Sequence, residues 1–128
     1  MAIYLARAGN DKQAIRQQLE ELFGYDLSPS LSHIRETYEY DVSCQGSVPQ
    51  ALVAFLEAGD FEDAIRNAIS LGGDADTMAC IAGGIAEAYW GVPDKIVRRT
   101  LAYLDDQLRK VVDEFIRRFG VSKREGNV

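Results

Sequence analysis

Apolar residues recur every three or four positions along almost the whole chain, which is the spacing of α-helices. Between Asp11 and Phe23, four apolar residues fall on one helical face: Ile15, Leu19, Leu22 and Phe23. Gly24 follows at the place where a helix commonly ends, because glycine readily adopts the left-handed backbone conformation of a C-cap. This segment is therefore predicted to form an amphipathic helix.

The same reasoning divides most of the remaining chain into helices. Residues 2–9 resemble the last turns of a helix, and residues 27–38 are a weaker candidate. The next predicted helix is capped by Ser47-Val48-Pro49-Gln50 and ends at Gly59, and another extends from the cap Asp60 to Gly72-Gly73. Further helices are predicted from Asp74 to about Trp90, from Pro93 onward, and between a break near Leu104-Asp105 and Gly120. Tyr38 to Ser43 has some strand character, but it is too short to form a sheet alone and is interpreted as an extended loop. The fold class predicted by the pattern is all-α.

The predicted helix from Asp74 is rich in small residues, with Gly83 and Gly84 near its middle. Each mid-helix glycine costs about 1 kcal/mol relative to alanine. Such residues are typical of a helix that another backbone approaches closely, which predicts a central position for this helix. They are equally compatible with an ordinary core of small side chains.

Composition and charge exclude several classes of function for this chain. The 128 residues carry a net charge of −6, with 47% hydrophobic and 27% charged residues, as in a globular protein. The acidic balance argues against nucleic acid and anionic membranes as partners. The longest apolar stretch, from Met78 to Val92, is interrupted by Glu87 and is too short to span a bilayer. Without a recognisable signal peptide, the sequence predicts a cytoplasmic protein.

The segment Gly72-Gly73-Asp74-Ala75-Asp76-Thr77 is the strongest candidate for chemistry. The oxygens of Asp74, Asp76 and Thr77 are the ligand type that Mg²⁺ and Mn²⁺ prefer, and the two glycines leave room for a substrate. The same residues also suit a purely structural role. Asp74 can cap the helix, and Asp76 is favourable near the positive end of the helix dipole. Spacing alone leaves both interpretations open.

The other reactive residue types give weaker signals. His33 is the sole histidine and lies in a polar stretch, which predicts a solvated surface position. Cys44 and Cys80 lack the spacing of a metal site or a nucleophile pair, and we expect them to be buried free thiols. The sequence contains no phosphate-binding loop, dinucleotide fingerprint or zinc motif.

Four segments together resemble the bacterial ADP-ribosylglycohydrolase family, which includes the dinitrogenase reductase-activating glycohydrolases. They are Asp41–Pro49, Ala51–Glu57, Asp60–Ala68 and Gly72–Thr77. The resemblance extends from near the first residue to about Phe119. It implies a multi-helix orthogonal bundle with a dinuclear Mg²⁺ or Mn²⁺ centre. It also implies hydrolysis of the glycosidic bond between ADP-ribose and a modified acceptor such as an arginine side chain.

The resemblance assigns roles to particular positions. Asp74, Asp76 and Thr77 correspond to one set of metal ligands, and Gly72 and Gly73 to the turn beside the bound ribose. The segment Gly46-Ser47-Val48 corresponds to a loop that flanks ADP-ribose. Many relatives carry an aromatic residue in place of Ser47, so a stacking surface is lost here.

The family's other metal-ligand motifs have no counterpart in residues 1–40. The resemblance therefore implies that residues 1–120 form the C-terminal part of such a domain, a partial domain followed by a flexible tail over 121–128. It also implies an incomplete metal site and exposed apolar helix faces. We expect a homo-oligomer, or pairing with a complementary N-terminal half.

Three hypotheses for function follow. In the first, the chain supplies part of a metal-dependent hydrolase that acts on ADP-ribosylated proteins. In the second, it is a truncated, non-catalytic module that binds ADP-ribose or assembles with other helices. In the third, it is a structural helical bundle in which Asp74 is only a cap.

Overall fold

A computed structural model of the chain describes residues 1–119, and these residues contain helices and no strand. The helices are α1 (Ala2–Arg7), α2 (Lys12–Phe23), α3 (Leu31–Thr37), α4 (Cys44–Glu57), α5 (Phe61–Ser70), α6 (Ala75–Trp90), α7 (Asp94–Leu101) and α8 (Asp106–Phe119). The predicted all-α fold class is confirmed. No helix among the described residues is long and apolar enough to cross a membrane.

The chain separates into two compact units, Met1–Trp90 and Gly91–Val128. In the first unit, α4, α5 and α6 pack against one another, while α1 contacts both α6 and α2, and α3 contacts α4. The largest fully buried side chains are Phe55, Ile15, Leu27, Met78 and Val53. The core therefore lies around three helices that follow one another along the chain.

The small-residue helix α6 is central, as predicted, since it contacts α1, α4 and α5. A Cβ added to Gly83 would lie 2.7 Å from Cδ1 of Ile65 on α5. A Cβ on Gly84 would lie 3.7 Å from Cδ1 of Ile3, which is an ordinary contact. The close neighbour of Gly83 is thus a side chain rather than the backbone that the sequence suggested.

Local capping explains where several helices begin and end. The Asp11 carboxylate accepts a hydrogen bond from the Ala14 amide at 2.8 Å, and Asp60 accepts one from the Asp63 amide at the same distance. Gly24 ends α2 in the left-handed conformation, with φ 67°. These predicted boundaries are confirmed.

The predicted capping box at Ser47 is wrong. Helix α4 begins earlier, and Ser43 is its N-cap, with its hydroxyl accepting from the Gly46 amide at 3.0 Å. Ser47 is buried inside the helix and donates its hydroxyl hydrogen to the Asp41 carbonyl at 3.1 Å. Pro49 also lies within α4. The reason is that Ser43 offers the same capping chemistry, which frees Ser47 to satisfy a loop carbonyl.

The second unit contains α7 and α8, and neither helix has a buried residue. The predicted break before α8 is confirmed, and Asp105 accepts from the Leu108 amide at 2.8 Å. Gly120 and the predicted flexible tail lie outside the described residues. The predicted division into residues 1–120 and 121–128 stays a prediction.

Candidate functional site

The turn between α5 and α6 depends on two consecutive glycines. Gly72 and Gly73 have φ values of 75° and 62°, a region that residues with a Cβ rarely adopt. Leu71 before them is buried and anchors the end of α5. The turn therefore places Asp74 directly at the start of α6.

The two carboxylates of this turn lie close together at the protein surface. Asp74 is half-buried, whereas Asp76 and Thr77 are exposed. A hydrogen bond with the Asp74 carboxyl, followed by one from the Thr77 amide, lowers the pKa of Asp76 below 3.8. The Thr77 nitrogen is 2.9 Å from Asp76 Oδ1. Asp76 thus presents a carboxylate in the first turn of a helix.

This geometry is compatible with both interpretations of the acidic turn. The Asp74 carbonyl accepts a hydrogen bond from the Met78 amide at 3.0 Å, and Asp76 lies in the first helical turn. A carboxylate at that place is favourable for the helix dipole without any metal. The oxygen donors also match hard cations in kind, but they are fewer than the six or more ligands of a complete site.

No group of three or more histidine, cysteine, aspartate or glutamate residues that could hold a metal occurs within residues 1–119. His33 is exposed on α3, as predicted. Cys44 and Cys80 are free, as predicted, but both are exposed, so the expected burial is wrong. Cys80 lies two positions from both Met78 and Ala82, which are buried, and this offset turns it toward the opposite face of α6.

The second predicted segment, Gly46-Ser47-Val48, lies in the first turns of α4. Ser47 is buried, Gly46 and Val48 are half-buried, and Val48 packs against the core. A Cβ at Gly46 would overlap the side chain of Asp41. Glycine at this position therefore lets the preceding loop lie directly on the helix.

Tyr38 connects the two predicted segments. A Cβ at Gly73 would lie 2.5 Å from Tyr38 Cε1 and 3.3 Å from its hydroxyl oxygen. The Tyr38 hydroxyl donates to the Asp41 carbonyl at 3.3 Å, which also accepts from Ser47. The glycine turn and the start of α4 are thus joined through Tyr38 and Asp41.

Neither Tyr38 nor Asp41 was predicted to belong to the site. Tyr38 marked only the end of a weak helix candidate, and Asp41 only opened the motif that resembles the family. One signal for Asp41 was available, because the segment that resembles the family, Asp41–Pro49, begins at this residue. The contact of Tyr38 with Gly73 could not be predicted from the sequence, because it joins two segments that are distant along the chain.

An open groove of about 510 Å³ lies beside this junction. Its lining includes His33, Tyr38, Asp41, Gly46 and Gln50. The side-chain oxygen Oε1 of Gln50 is buried and has no hydrogen-bond partner among the described residues. A buried polar atom is normally paired, so this oxygen is an unused acceptor beneath the groove surface.

The fold and the site together define an all-α protein. Its acidic glycine turn contacts Tyr38, which also binds the loop before α4. A family model described as ADP-ribosylglycohydrolase matches residues 2–125. The chain belongs to the ADP-ribosylglycohydrolase family.

Similarity to curated proteins is more distant. The chain is similar to an uncharacterized protein of Archaeoglobus fulgidus, with 27% identity over 100 residues. The match covers 67% of this chain and 33% of the relative, so the chain spans about a third of the length of the curated relative it matches. No solved structure matches the chain.

Proposed function

We propose that this chain supplies the Gly72–Thr77 turn of a Mg²⁺- or Mn²⁺-dependent site that removes ADP-ribose from modified acceptors of the ADP-ribosyl-arginine type. The observation that carries the proposal is the junction at Tyr38. Through Tyr38 and Asp41, the turn with the acidic residues is linked to the segment Gly46-Ser47-Val48 within one unit. Family membership supports the general class of reaction.

Asp74, Asp76 and Thr77 are the residues that would hold a divalent cation. Asp74 and Asp76 lie within hydrogen-bond reach of each other, so their oxygens could share one hard cation. When bound, the cation supplies Lewis-acid polarisation of a substrate oxygen. Because few donors are present, we expect binding by this chain alone to be weak.

The groove beside Tyr38 supports the substrate part of the proposal. Gly72 and Gly73 leave the turn without side chains, so a sugar can approach the backbone there. Gln50 also lines the groove, and its side-chain oxygen would accept a hydrogen bond from a substrate N–H or O–H group once the side chain turns outward. The buried Ser47 hydroxyl already donates to the Asp41 carbonyl. We therefore expect the backbone of Gly46-Ser47-Val48, rather than this hydroxyl, to flank ADP-ribose.

Turnover is expected to need ligands beyond this chain. Its two adjacent carboxylates and one threonine can complete neither of two cation positions. We therefore propose that the chain alone is weak or inactive as a hydrolase. A complementary N-terminal half that brings further acidic residues would raise its activity.

A second candidate function is a non-catalytic ADP-ribose-binding or helix-assembly module. The observation that favours it is the lack, within residues 1–119, of any cluster of three histidine, cysteine, aspartate or glutamate residues that could hold a metal. Such a module would bind ADP-ribose in the groove without a cation and would not hydrolyse ADP-ribosyl-arginine.

Titration of Mn²⁺ into the full chain, followed by electron paramagnetic resonance, tests the metal part. We expect Asp74→Asn and Asp76→Asn each to weaken Mn²⁺ binding at least tenfold. Asp26→Asn is the matched control, because Asp26 is also exposed and accepts a hydrogen bond from a nearby amide, that of Ser28 at 3.0 Å. Unchanged Mn²⁺ affinity in both turn variants would exclude the metal role.

Activity and ligand binding separate the two candidates. Isothermal titration with ADP-ribose, with and without Mn²⁺, is compared with hydrolysis of ADP-ribosyl-arginine. Metal-dependent binding with little turnover supports a partial hydrolase site, whereas metal-independent binding supports the module. Robust turnover by the purified chain alone would contradict the proposal that its metal site is incomplete.

A further inference from the structure

The groove beside Tyr38 is lined by residues of α3, of the start of α4 and of the loop that joins these two helices. Its volume of about 510 Å³ falls within the range of about 300–1,000 Å³ that is common for ligand sites. The loop contributes Glu39, Tyr40 and Asp41, so two carboxylates and an aromatic ring follow one another along the chain. The chemistry of this lining indicates which ligand suits the groove.

The charge of the groove is negative. Glu39 and Asp41 are exposed, and no lysine or arginine occurs among the described residues that line the groove. Arg35 of α3 donates instead to the Ser70 hydroxyl on α5, from Nε at 3.0 Å and from Nη2 at 2.8 Å. Hydrogen bonds from the Ser43 amide and then from its hydroxyl hold the pKa of Asp41 below 3.8, so this carboxylate is ionised at neutral pH. The groove therefore favours a cation over a diphosphate.

The tyrosine rings of the groove favour one kind of cation. Tyr40 is 71% exposed and Tyr38 is half-buried, and both line the groove. A guanidinium is planar, so it stacks on aromatic rings and also binds carboxylates through paired N–H groups. An ammonium is a compact and strongly hydrated charge that does neither as well. Tyrosines next to carboxylates thus suit the side chain of arginine better than that of lysine.

The unpaired oxygen of Gln50 is an independent observation that points to the same chemistry. This residue lines the groove, and its buried Oε1 has no hydrogen-bond partner within residues 1–119. A guanidinium carries five N–H donors and no acceptor, whereas the oxygens of an ionised phosphate only accept. When the Gln50 side chain turns outward, its oxygen can therefore be paired by a guanidinium but not by a diphosphate.

From the charge, the rings and this acceptor we propose that the groove holds the guanidinium of the arginine acceptor and leaves the diphosphate of ADP-ribose outside. The two parts of the substrate carry opposite charges, so the groove would orient the substrate as well as bind it. Tyr38 lines the groove and contacts Gly73 of the acidic turn, which places the two regions side by side. The identity of the acceptor rests on the proposed function, whereas the preference for a guanidinium rests on the groove alone.

Nuclear magnetic resonance titration of the full chain, without metal, tests this preference. The probes are capped Gly-X-Gly tripeptides in which X is arginine, lysine or citrulline, an uncharged analogue of arginine with nearly the same shape. At pH 7.5, an ordinary histidine such as His33 adds little positive charge. We expect the arginine peptide to shift the amide signals of Thr37 and Gly46, and to bind at least about threefold more tightly than the lysine peptide. Absence of these shifts, or equal affinity for the arginine and citrulline peptides, would overturn the proposal.

A pair of glutamate variants tests whether the groove itself is responsible. Glu39→Gln should weaken binding of the arginine peptide by about two- to fivefold, which corresponds to one exposed ion pair. Glu36→Gln is the matched control, because Glu36 is also exposed and lies three positions earlier, but it is not among the residues that line the groove. Equal losses of affinity in the two variants would indicate general attraction to an acidic protein and would overturn the proposal.

Inorganic pyrophosphate is the probe for the excluded part of the substrate. We expect it to leave the signals of Thr37 and Gly46 unchanged, and shifts as large as those caused by the arginine peptide would contradict the proposal. Failure of this inference can be distinguished from failure of the proposed function. Mn²⁺-dependent binding of ADP-ribose without binding of the arginine peptide would overturn only the groove assignment. Binding of the arginine peptide by a chain that does not bind Mn²⁺ would support the groove and contradict the metal site.

Discussion

The ring of Tyr38 lies directly against the backbone of Gly73, and a Cβ at position 73 would approach Tyr38 Cε1 to 2.5 Å. The hydroxyl of the same tyrosine donates to the Asp41 carbonyl at 3.3 Å. One aromatic side chain therefore spans from the acidic turn to the loop before α4. We infer that the position of the turn depends on this contact.

Replacing Gly73 with alanine should be more damaging than replacing Gly72. Both residues have positive φ values, and the left-handed conformation costs alanine about 1 kcal/mol. Only the Gly73 Cβ also meets Tyr38, and such overpacking adds about 1–3 kcal/mol. We expect urea denaturation to give losses in the free energy of unfolding of about 1 kcal/mol for Gly72→Ala and about 2–4 kcal/mol for Gly73→Ala.

A double-mutant cycle isolates the tyrosine contact in that prediction. Tyr38→Ala should reduce the additional loss caused by Gly73→Ala and should leave the effect of Gly72→Ala unchanged. Strict additivity of Tyr38→Ala with Gly73→Ala would contradict a direct contact, because independent sites add.

The two adjacent glycines of α6 should respond oppositely to alanine. Gly84→Ala places a Cβ at an ordinary 3.7 Å from Ile3 and should stabilise the chain by up to about 1 kcal/mol through helix propensity. Gly83→Ala brings a Cβ to 2.7 Å from Ile65 Cδ1 and should destabilise it. Ile65→Val removes that carbon, so it should reduce the loss caused by Gly83→Ala. Thermal unfolding of the variants checks the signs, and a stabilising Gly83→Ala would refute this packing.

Ser47 should contribute through its buried hydrogen bond. Ser47→Ala removes the donor to the Asp41 carbonyl and should lower the free energy of unfolding by about 1 kcal/mol, whereas Ser32→Ala, at an exposed position of α3, should change it by less than about 0.5 kcal/mol. Ser47→Tyr introduces a large aromatic side chain at a position that is only 3% exposed, so a loss of about 1–3 kcal/mol is expected. A neutral Ser47→Tyr would contradict burial of this position.

The pKa of Asp41 should lie below its usual value. Hydrogen bonds from the Ser43 amide and then from its hydroxyl lower the pKa of Asp41 below 3.8. The unfolded chain therefore takes up this proton more readily, so the stabilisation is complete above pH 3.8 and is lost as the pH falls through the folded pKa. Carboxyl NMR titration should show the pKa of Asp41 rising toward 3.8 in Ser43→Ala.

Asp26 provides the internal control for that titration. Its pKa is likewise lowered, mainly by the Ser28 hydroxyl and then by the Ser28 amide. Ser43→Ala should leave the Asp26 titration unchanged. Equal displacement of both aspartates would indicate a general change in the fold rather than a lost hydrogen bond at Asp41.

Local chemistry was sufficient to predict much of the helical framework. Asp11, Gly24 and Asp60 occupy the ends predicted for them, because a cap depends on a few neighbouring residues. The start of α4 was predicted wrongly, since Ser43 and Ser47 have the same capping chemistry. Only the tertiary burial of Ser47 distinguishes them.

The separate parts of the candidate site could be predicted from the sequence, but the contact that joins them could not. The acidic turn follows from adjacent residue types, and its relation to Gly46 came from family resemblance. Tyr38 contacts Gly73 across a long stretch of sequence, and periodicity contains no information about such pairs. The expected burial of the cysteines failed for a related reason, because residue type alone does not determine which helical face a side chain occupies.

The arrangement of α4, α5 and α6 has a consequence for how the chain folds. These helices follow one another in sequence and pack against one another, so their contacts close short loops. Proteins rich in such local contacts fold rapidly. The contact of α1 with α6 instead joins the two ends of the unit and carries a larger entropy of closure. We therefore expect α4–α6 to assemble first and to form the template onto which the N-terminal helix docks.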